Sequence, residues 1–332
     1  MRALLSHEPG GPETLRLDEI AEPSPGPGEL LVGVRACSIN YPDVLIIEDK
    51  YQLKPPRPFA PGSEIAGEVE ALGEGVEGWS VGDRLIAATG FGGLVEKLII
   101  SARSAIPLPA ERSFEEGSAL LLTYATSIHA LLDRGKLQPG ETLLVLGAAG
   151  GVGIAAIEIG KAVGARVIAA VSSEDKAAVA RDAGADEAIV YPPGPFDTDG
   201  LRALSQQFKD AVRGEGANVV FDPVGGDYSG AALRSIAWEG RFLVVGFPAG
   251  IAQLPLNLTL LKSCDVCGVF WGAFAARDPK ANAAHVQQLF RWWDEGRIAP
   301  RVSETFKLER AGEAIAALRD RKAVGKLVVT LD

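Results

Sequence analysis

Seven residues in the middle of the chain, Gly147-Ala148-Ala149-Gly150-Gly151-Val152-Gly153, have the types and spacing of a backbone cradle for phosphate. Glycine lets main-chain N–H groups come close to a pyrophosphate, and a helix starting there adds favourable partial positive charge. The spacing is G-x-x-G-x-x-G rather than G-x-G-x-x-G, so context has to supply the specificity. An apolar, β-prone run, Thr142–Leu146, precedes the glycines. A helix-period segment follows and closes at Gly164, a good helix-terminating residue, and a second apolar run, Arg166–Val171, ends the unit. Strand, glycine turn, helix and strand together make the βαβ half of a dinucleotide-binding domain, with Gly150, Gly151, Val152 and Gly153 at the phosphates. The bland alternative, glycines that only make a tight turn against a sheet, accounts less well for this placement. The chemistry implied is hydride transfer by a nicotinamide cofactor, which the protein binds and orients.

The end of the second strand bears on which nucleotide binds. NAD-preferring folds place Asp or Glu about 20 residues past the glycines to hold the ribose 2′-OH, whereas NADP sites lack that carboxylate and supply a cation. Here the strand ends Ala169-Ala170-Val171-Ser172-Ser173 with Lys176 close behind. No acid stands at the tip, and Glu174 falls where a helix would begin, so NADPH is the expected cofactor. Two alternatives stay open: Ser173 as a helix N-cap and Lys176 as a solvated helix residue. Tyr191 is counted with this set as cofactor-binding.

Metal and thiol chemistry finds little support. Cys264-x-x-Cys267 has no second Cys or His pair nearby to complete a tetrahedral site, and an i, i+3 pair in a strand points to opposite faces. His7, His129 and His285 are far apart in sequence and form no H-x-x-x-H pattern. With Cys37 the thiols number 3, so a disulfide framework is implausible and a reducing cytoplasm is expected. The chain of 332 residues is 47% hydrophobic and carries a net charge of −10 without a basic run, which speaks against nucleic acid and anionic membranes as partners. No uninterrupted apolar stretch of about 18 residues offers a membrane span, and the N-terminus reads as a short strand and not a signal peptide.

The elements that must position these residues change in texture along the chain. Residues 1 to about 122 read as short strands, among them Leu30–Ala36, Glu64–Ala71 and Arg84–Ala87, separated by Pro- and Gly-rich turns. From about Thr126 helices and strands alternate: strands near Ala188–Val190, Asn218–Phe221 and Arg241–Val245, helices from Glu174, Leu201 and Tyr228. Such alternation predicts a parallel sheet covered on both faces. From about Asp265 come a strand, helices near Ala281–Asp294 and Arg310–Arg321, and a last strand, Lys326–Thr330. Two closely apposed domains with a cleft between them are expected.

A set of motifs in this order resembles the medium-chain dehydrogenase/reductase superfamily, and within it the zinc-independent quinone oxidoreductases. The carriers are Asn40-x-x-Asp43, Tyr51, Pro61-Gly62-Ser63-Glu64-x-Ala66-Gly67, Val81-Gly82-Asp83-Arg84, Thr126, the glycine turn, Asp222-x-x-Gly225-Gly226 and Gly325-Lys326. The resemblance covers essentially the whole chain. It implies an α/β fold: a doubly wound parallel Rossmann sheet over 123–264 plus a discontinuous β-rich, GroES-like catalytic domain over 1–122 completed by 265–332.

In the zinc-dependent relatives a Cys and a His-Glu pair hold the catalytic metal, which needs about three protein ligands and an open position. Asn40 stands where that Cys would be and Ser63 where the His would be, so the resemblance implies no metal. It also places Thr126 and the backbone from Val245 to Phe247 beside the nicotinamide; for Thr126 an ordinary N-cap is the alternative. Acceptors reducible without a metal are quinones, enones and enoyl thioesters, whose conjugated oxygen gains charge as carbon takes the hydride. Tyr51 and Asn40 are the candidates to answer that charge, with packing in a proline-rich loop and turn formation as their alternatives, and Asp43 orients its neighbours. Leu45, Phe91, Phe247, Phe270 and Trp271 are candidate pocket walls. Lys322, Gly325 and Lys326 are expected either near the cofactor phosphates or at a solvated helix end. The expected function is an NADPH-dependent reductase of a quinone or related α,β-unsaturated carbonyl. An enoyl thioester reductase and a non-catalytic NADPH-binding protein remain as alternatives, and the resemblance implies a homodimer through the strand at Asp265–Phe270.

Overall fold

The computed structural model describes residues 1–331. In chain order the elements are β1 (Arg2–Leu5), β2 (Arg16–Glu19), β3 (Glu29–Ile39), α1 (Tyr41–Ile47), β4 (Glu64–Leu72), β5 (Arg84–Ala88), β6 (Lys97–Ser101), β7 (Ile106–Pro107) and α2 (Phe114–Ser118). A helical stretch follows, π-wound over Leu121–Ala125, α-wound over Thr126–Ile128 (α3) and π-wound again over His129–Arg134. Next come β8 (Thr142–Leu146), α4 (Gly151–Val163), β9 (Arg166–Val171), α5 (Glu174–Asp182), β10 (Glu187–Val190), α6 (Thr198–Val212), β11 (Ala217–Asp222), α7 (Gly226–Leu233) and β12 (Ile236–Val244). The chain closes with α8 (Asn257–Lys262), β13 (Asp265–Gly268), α9 (Trp271–Arg277), α10 (Pro279–Asp294), β14 (Val302–Lys307), α11 (Ala311–Arg319) and β15 (Lys326–Thr330).

Two compact units result: Met1–Leu122 together with the segment from Pro300 on, and Thr123–Ala299. In the second, six strands run in the order β10-β9-β8-β11-β12-β13, every neighbour parallel. Such a sheet is buried on both faces, which is why Leu143–Leu146 and Val219–Phe221 are apolar at every position and fully inaccessible. The strand order reverses between β8 and β11, so their carboxyl ends, Leu146 and Asp222, open a crevice at the topological switch point. Phe208, Phe221 and Phe242 are among the largest side chains sealed inside this unit, each worth about 1.5–3 kcal/mol of burial.

In the first unit seven strands lie in the order β14-β15-β3-β4-β5-β7 with β6 also on β3. Except for β14 with β15, the pairs are antiparallel. Strand β15 pairs with the end of β3, Leu327 opposite Ile39, so a segment late in the chain becomes an inner strand of the first unit. The discontinuous architecture is as expected, but its second junction is not. A return at Asp265 is corrected by β13, which extends the parallel sheet with Val266 opposite Phe242. The chain rejoins the first unit only at Pro300. Among the described residues no helix is long and apolar enough to cross a membrane.

Candidate active site

The glycine turn is built as a cradle. Gly147 has φ +55° at the end of β8, and a Cβ on Gly153 would lie 2.5 Å from the Gly147 carbonyl oxygen, so only glycine lets α4 start this close to the strand. Gly150 is the N-cap of α4 and supplies no side-chain cap. The first-turn N–H groups of Gly151, Val152 and Gly153 therefore keep their capacity for an anion. Helix α5 contrasts with it, because Ser173 accepts a hydrogen bond from the Lys176 N–H and closes that N-terminus with its own hydroxyl. Beside it the Lys176 ammonium donates to Ser172 Oγ at 3.3 Å, so a hydroxyl and a cation meet at the tip of β9. Glu174 and Asp175 are exposed in the first turn of α5.

The opposite wall of the crevice is held by main-chain bonds. Asp222 accepts from the N–H groups of Val224 (2.8 Å) and Gly225 (3.0 Å) and from the Ser229 hydroxyl. Burial still pushes its carboxyl above the ordinary value. Its own carbonyl accepts from Val245 N–H at 2.9 Å and Gly246 N–H at 3.3 Å, which fixes the course of Val245–Phe247. Gly225 has φ +77°, and a Cβ there would stand 2.8 Å from Phe247 Cα; glycine admits the loop. Phe247 is left 46% exposed.

The first unit contains a buried polar cluster. Asn40, Asp43, Ser63, Glu64 and Lys326 are all buried, Asp43 and Glu64 completely. The Lys326 ammonium donates to Asn40 Oδ1 at 2.6 Å and stands 3.6 Å from Glu64 Oε2. An ammonium has only hydrogens to give, which orients the Asn40 carboxamide and turns Nδ2 onto the Ser38 carbonyl at 3.2 Å and hydroxyl at 3.3 Å. Glu64 accepts from Ser38 Oγ at 2.8 Å and from Leu122 N–H at 3.0 Å. Asp43 accepts from Asn40 N–H (2.7 Å) and Gly62 N–H (2.9 Å), tying the start of α1 to the loop ahead of β4. Burial pushes the Asp43 carboxyl up to about 6 against the pull of these donors and of Lys326, and pushes the Lys326 ammonium down. Tyr51 is half-buried against the hydrophobic core of this unit. Its phenol is raised by burial and by the charge of Asp43, so it stays protonated at neutral pH.

The family described as "Alcohol dehydrogenase GroES-like domain" matches residues 26–110, and that described as "Zinc-binding dehydrogenase" matches residues 151–288. Quinone oxidoreductase-like protein 2 of Rattus norvegicus is 36% identical over 96% of this chain and 89% of its own. The chain belongs to the quinone oxidoreductases of the medium-chain dehydrogenase/reductase superfamily. Solved members superpose along their full length. The Escherichia coli quinone oxidoreductase complexed with NADPH aligns at TM-score 0.90 with 29% identity, covering 100% of both chains. That of Pseudomonas syringae pv. Tomato DC3000 aligns at 0.88 with 29% identity, covering 99% of both. Like its family, this chain is an oxidoreductase.

One of the matching families is zinc-binding, so the metal position of this quinone oxidoreductase needs testing against its residues. A neutral carboxamide at 40 and a hydroxyl at 63 are poor zinc donors, and the carboxylate at 64 already faces the Lys326 ammonium. The donor set does not fit zinc. Two expectations are also corrected. Lys326 is inside the protein, neither at the cofactor phosphates nor at a solvated helix end. Thr126 does not cap a helix, because the helical stretch is unbroken from Leu121, and its partly exposed side chain sits between two π-wound turns of the kind that often mark functional sites. Tyr191 follows the end of β10, 6% exposed and packed edge-on against Phe208.

The histidines hold a contact that their separation in sequence conceals. His129 Nδ1 lies 2.6 Å from Asp133 Oδ2 and His285 Nε2 lies 3.4 Å from Asp133 Oδ1, with Phe274 stacked on His129 at 4.1 Å. This joins α9 and α10 to the helical stretch. Cys264 and Cys267 are free thiols raised by burial, as expected of packing residues.

The Asp43 shift has a measurable sign. Its pKa in the fold, about 6, exceeds the ordinary 3.8, so the fold holds this proton more tightly than the unfolded chain does. That contribution to stability is fully present below the ordinary value and is lost as the pH rises through about 6. Urea unfolding should show the parent protein losing about 3 kcal/mol relative to Asp43→Asn between about pH 3 and pH 7. A constant difference across that range would remove the assignment.

Proposed function

We propose that this oxidoreductase uses NADPH to reduce a quinone or related α,β-unsaturated carbonyl without a catalytic metal. The observation that carries this reading is the Lys326 ammonium 2.6 Å from Asn40 Oδ1, where zinc-dependent relatives place a ligand. Without a Lewis acid an unactivated alcohol or ketone is a poor partner, whereas a conjugated acceptor is already polarised. The α4 N-terminus would hold the pyrophosphate, and Ser172 with Lys176 the 2′-phosphate. NADPH, when bound, supplies the hydride. Thr126 and the Val245–Phe247 backbone bear on the nicotinamide. Tyr51 protonates the reduced acceptor, its raised pKa keeping the proton available. Asn40, with both ends of its carboxamide engaged inside the protein, positions its neighbours and does not itself donate to the acceptor.

Two substitutions separate these roles. Lys176→Ala should raise KM for NADPH about tenfold or more, the loss of one charge-assisted hydrogen bond, and change KM for NADH less than about twofold. Tyr51→Phe should lower kcat about a hundredfold or more and leave NADPH binding unchanged.

The strand β13 is the outer strand of its sheet with its Val266 40% exposed, and Leu260 and Leu261 of α8, just before it in the chain, are 79% and 62% exposed. An unpaired edge flanked by apolar side chains suits pairing with a second copy, and we propose a homodimer. Sedimentation equilibrium should return twice the chain mass of 34.8 kDa; a monomer at micromolar concentration would exclude it. Three unbridged thiols suit a reducing compartment, and the cytoplasm is proposed.

The decisive experiment follows NADPH absorbance with a quinone, an enal and an enoyl thioester, before and after exhaustive chelation. Turnover of the quinone or enal that survives chelation is the expected result. Tight NADPH binding without turnover of any acceptor would leave a binding protein, and loss of turnover on chelation would overturn the metal-free reading.

A further inference from the structure

Lys326 opens β15, far in sequence from the residues it meets, and its ammonium is enclosed by groups from three places. Asn40 and Ser38 come from the end of β3, Asp43 from α1, Ser63 and Glu64 from the start of β4, and Cys37, whose thiol burial raises well above its ordinary value, lies behind them. Two of these groups are carboxylates with no exposed surface. Asp43 has backbone donors of its own from Asn40 and Gly62; Glu64 has one hydroxyl, one backbone N–H, a longer contact from Asn40 Nδ2 at 3.5 Å and, as its charged partner, the ammonium. Buried carboxylates without a cation either take up protons or drive water and chain into the site.

We propose that the Lys326 ammonium is a built-in cation that takes over the structural duty of the absent metal, with Lys326 a positioning residue for acceptor reduction. Where a metal would gather thiolate, imidazole and carboxylate, the ammonium gathers carboxamide and carboxylate. By fixing the Asn40 carboxamide it sets the start of α1, and through Asp43 the approach of Gly62 and Ser63. These segments flank the loop that carries Tyr51, whose phenol senses the charge of Asp43. Charge, and not only bulk, is what the side chain contributes. The role in turnover rests on the reductase reading above; the role as cation does not.

Lys326→Ala removes a propylammonium-sized piece, so the test adds it back. With the parent protein's turnover of a quinone as reference, Lys326→Ala should lose at least tenfold in kcat with KM for NADPH unchanged within about twofold. Propylammonium chloride should restore at least threefold of that loss and raise the thermal midpoint of the variant. Sodium chloride at equal ionic strength and propanol, a neutral hydrogen-bond donor of the same size, should do neither. Rescue by propanol equal to that by propylammonium would show that bulk alone is needed and would overturn the proposal, as would turnover unchanged in the variant. If the parent turns over none of the acceptors, the reductase reading fails and the midpoint measurement alone decides whether Lys326 is the cation. Should Lys326→Ala not fold, Lys326→Met combined with Glu64→Gln, which removes ammonium and facing carboxylate together, should melt higher than Lys326→Met alone. A double variant no more stable than the single one would overturn the proposal.

Discussion

A carboxylate withdrawn from water must be given a cation or several hydrogen-bond donors, and in the first unit this requirement organises everything near the candidate site. Glu64 begins β4 with no exposed surface, and the groups that satisfy it come from β3, from Leu122 and from β15. The desolvation that such a cluster incurs is large, of the order of several kcal/mol per ion, and is offset only when each lone pair and proton has a partner at good geometry. That demand leaves little freedom in how the three strands and α1 meet. It also explains why Asn40 and Ser63, unsuited to a metal, are well suited here: a carboxamide and a hydroxyl can each both give and accept.

The second unit meets the same demand with backbone dipoles. Strand β8 ends in a glycine turn that leaves the first N–H groups of α4 uncapped, while α5 one strand away is capped by Ser173. Asp222, at the end of β11, uses its carboxylate on one loop and its carbonyl on the next. A chain with net charge −10 has little general attraction for an anionic cofactor, so binding must come from these local, pre-oriented groups and the cation at the tip of β9.

Much of this was legible along the chain because it is written in local pattern. The apolar runs at Thr142–Leu146 and Arg166–Val171, the glycines between them and the absence of an acid after Val171 are all short-range signals, and they led to the parallel sheet, the cradle and the expected nucleotide. What stayed hidden is long-range. Lys326 and Asn40 are 286 residues apart, and nothing in the surroundings of either announces the other. His129 and His285 meet on Asp133 in the same way. The run from Asp265 to Phe270 reads as a strand, but an edge strand reads alike whichever sheet it joins, and only the pairing of β13 with β12 shows where it belongs. The π-wound turns on either side of Thr126 leave the residue pattern helical, so their register has no signature in the sequence.

The position of β15 has a consequence for how the protein comes into being. A ribosome delivers residues 123–299 as one uninterrupted stretch, so the second unit can complete its core during synthesis. The first unit, begun earlier, waits for an inner strand that emerges later than all of it, and with that strand arrives the lysine that neutralises Glu64. The older half of the polypeptide is thus finished last, and a nascent chain stalled before Lys326 carries a nucleotide-binding half without a working counterpart.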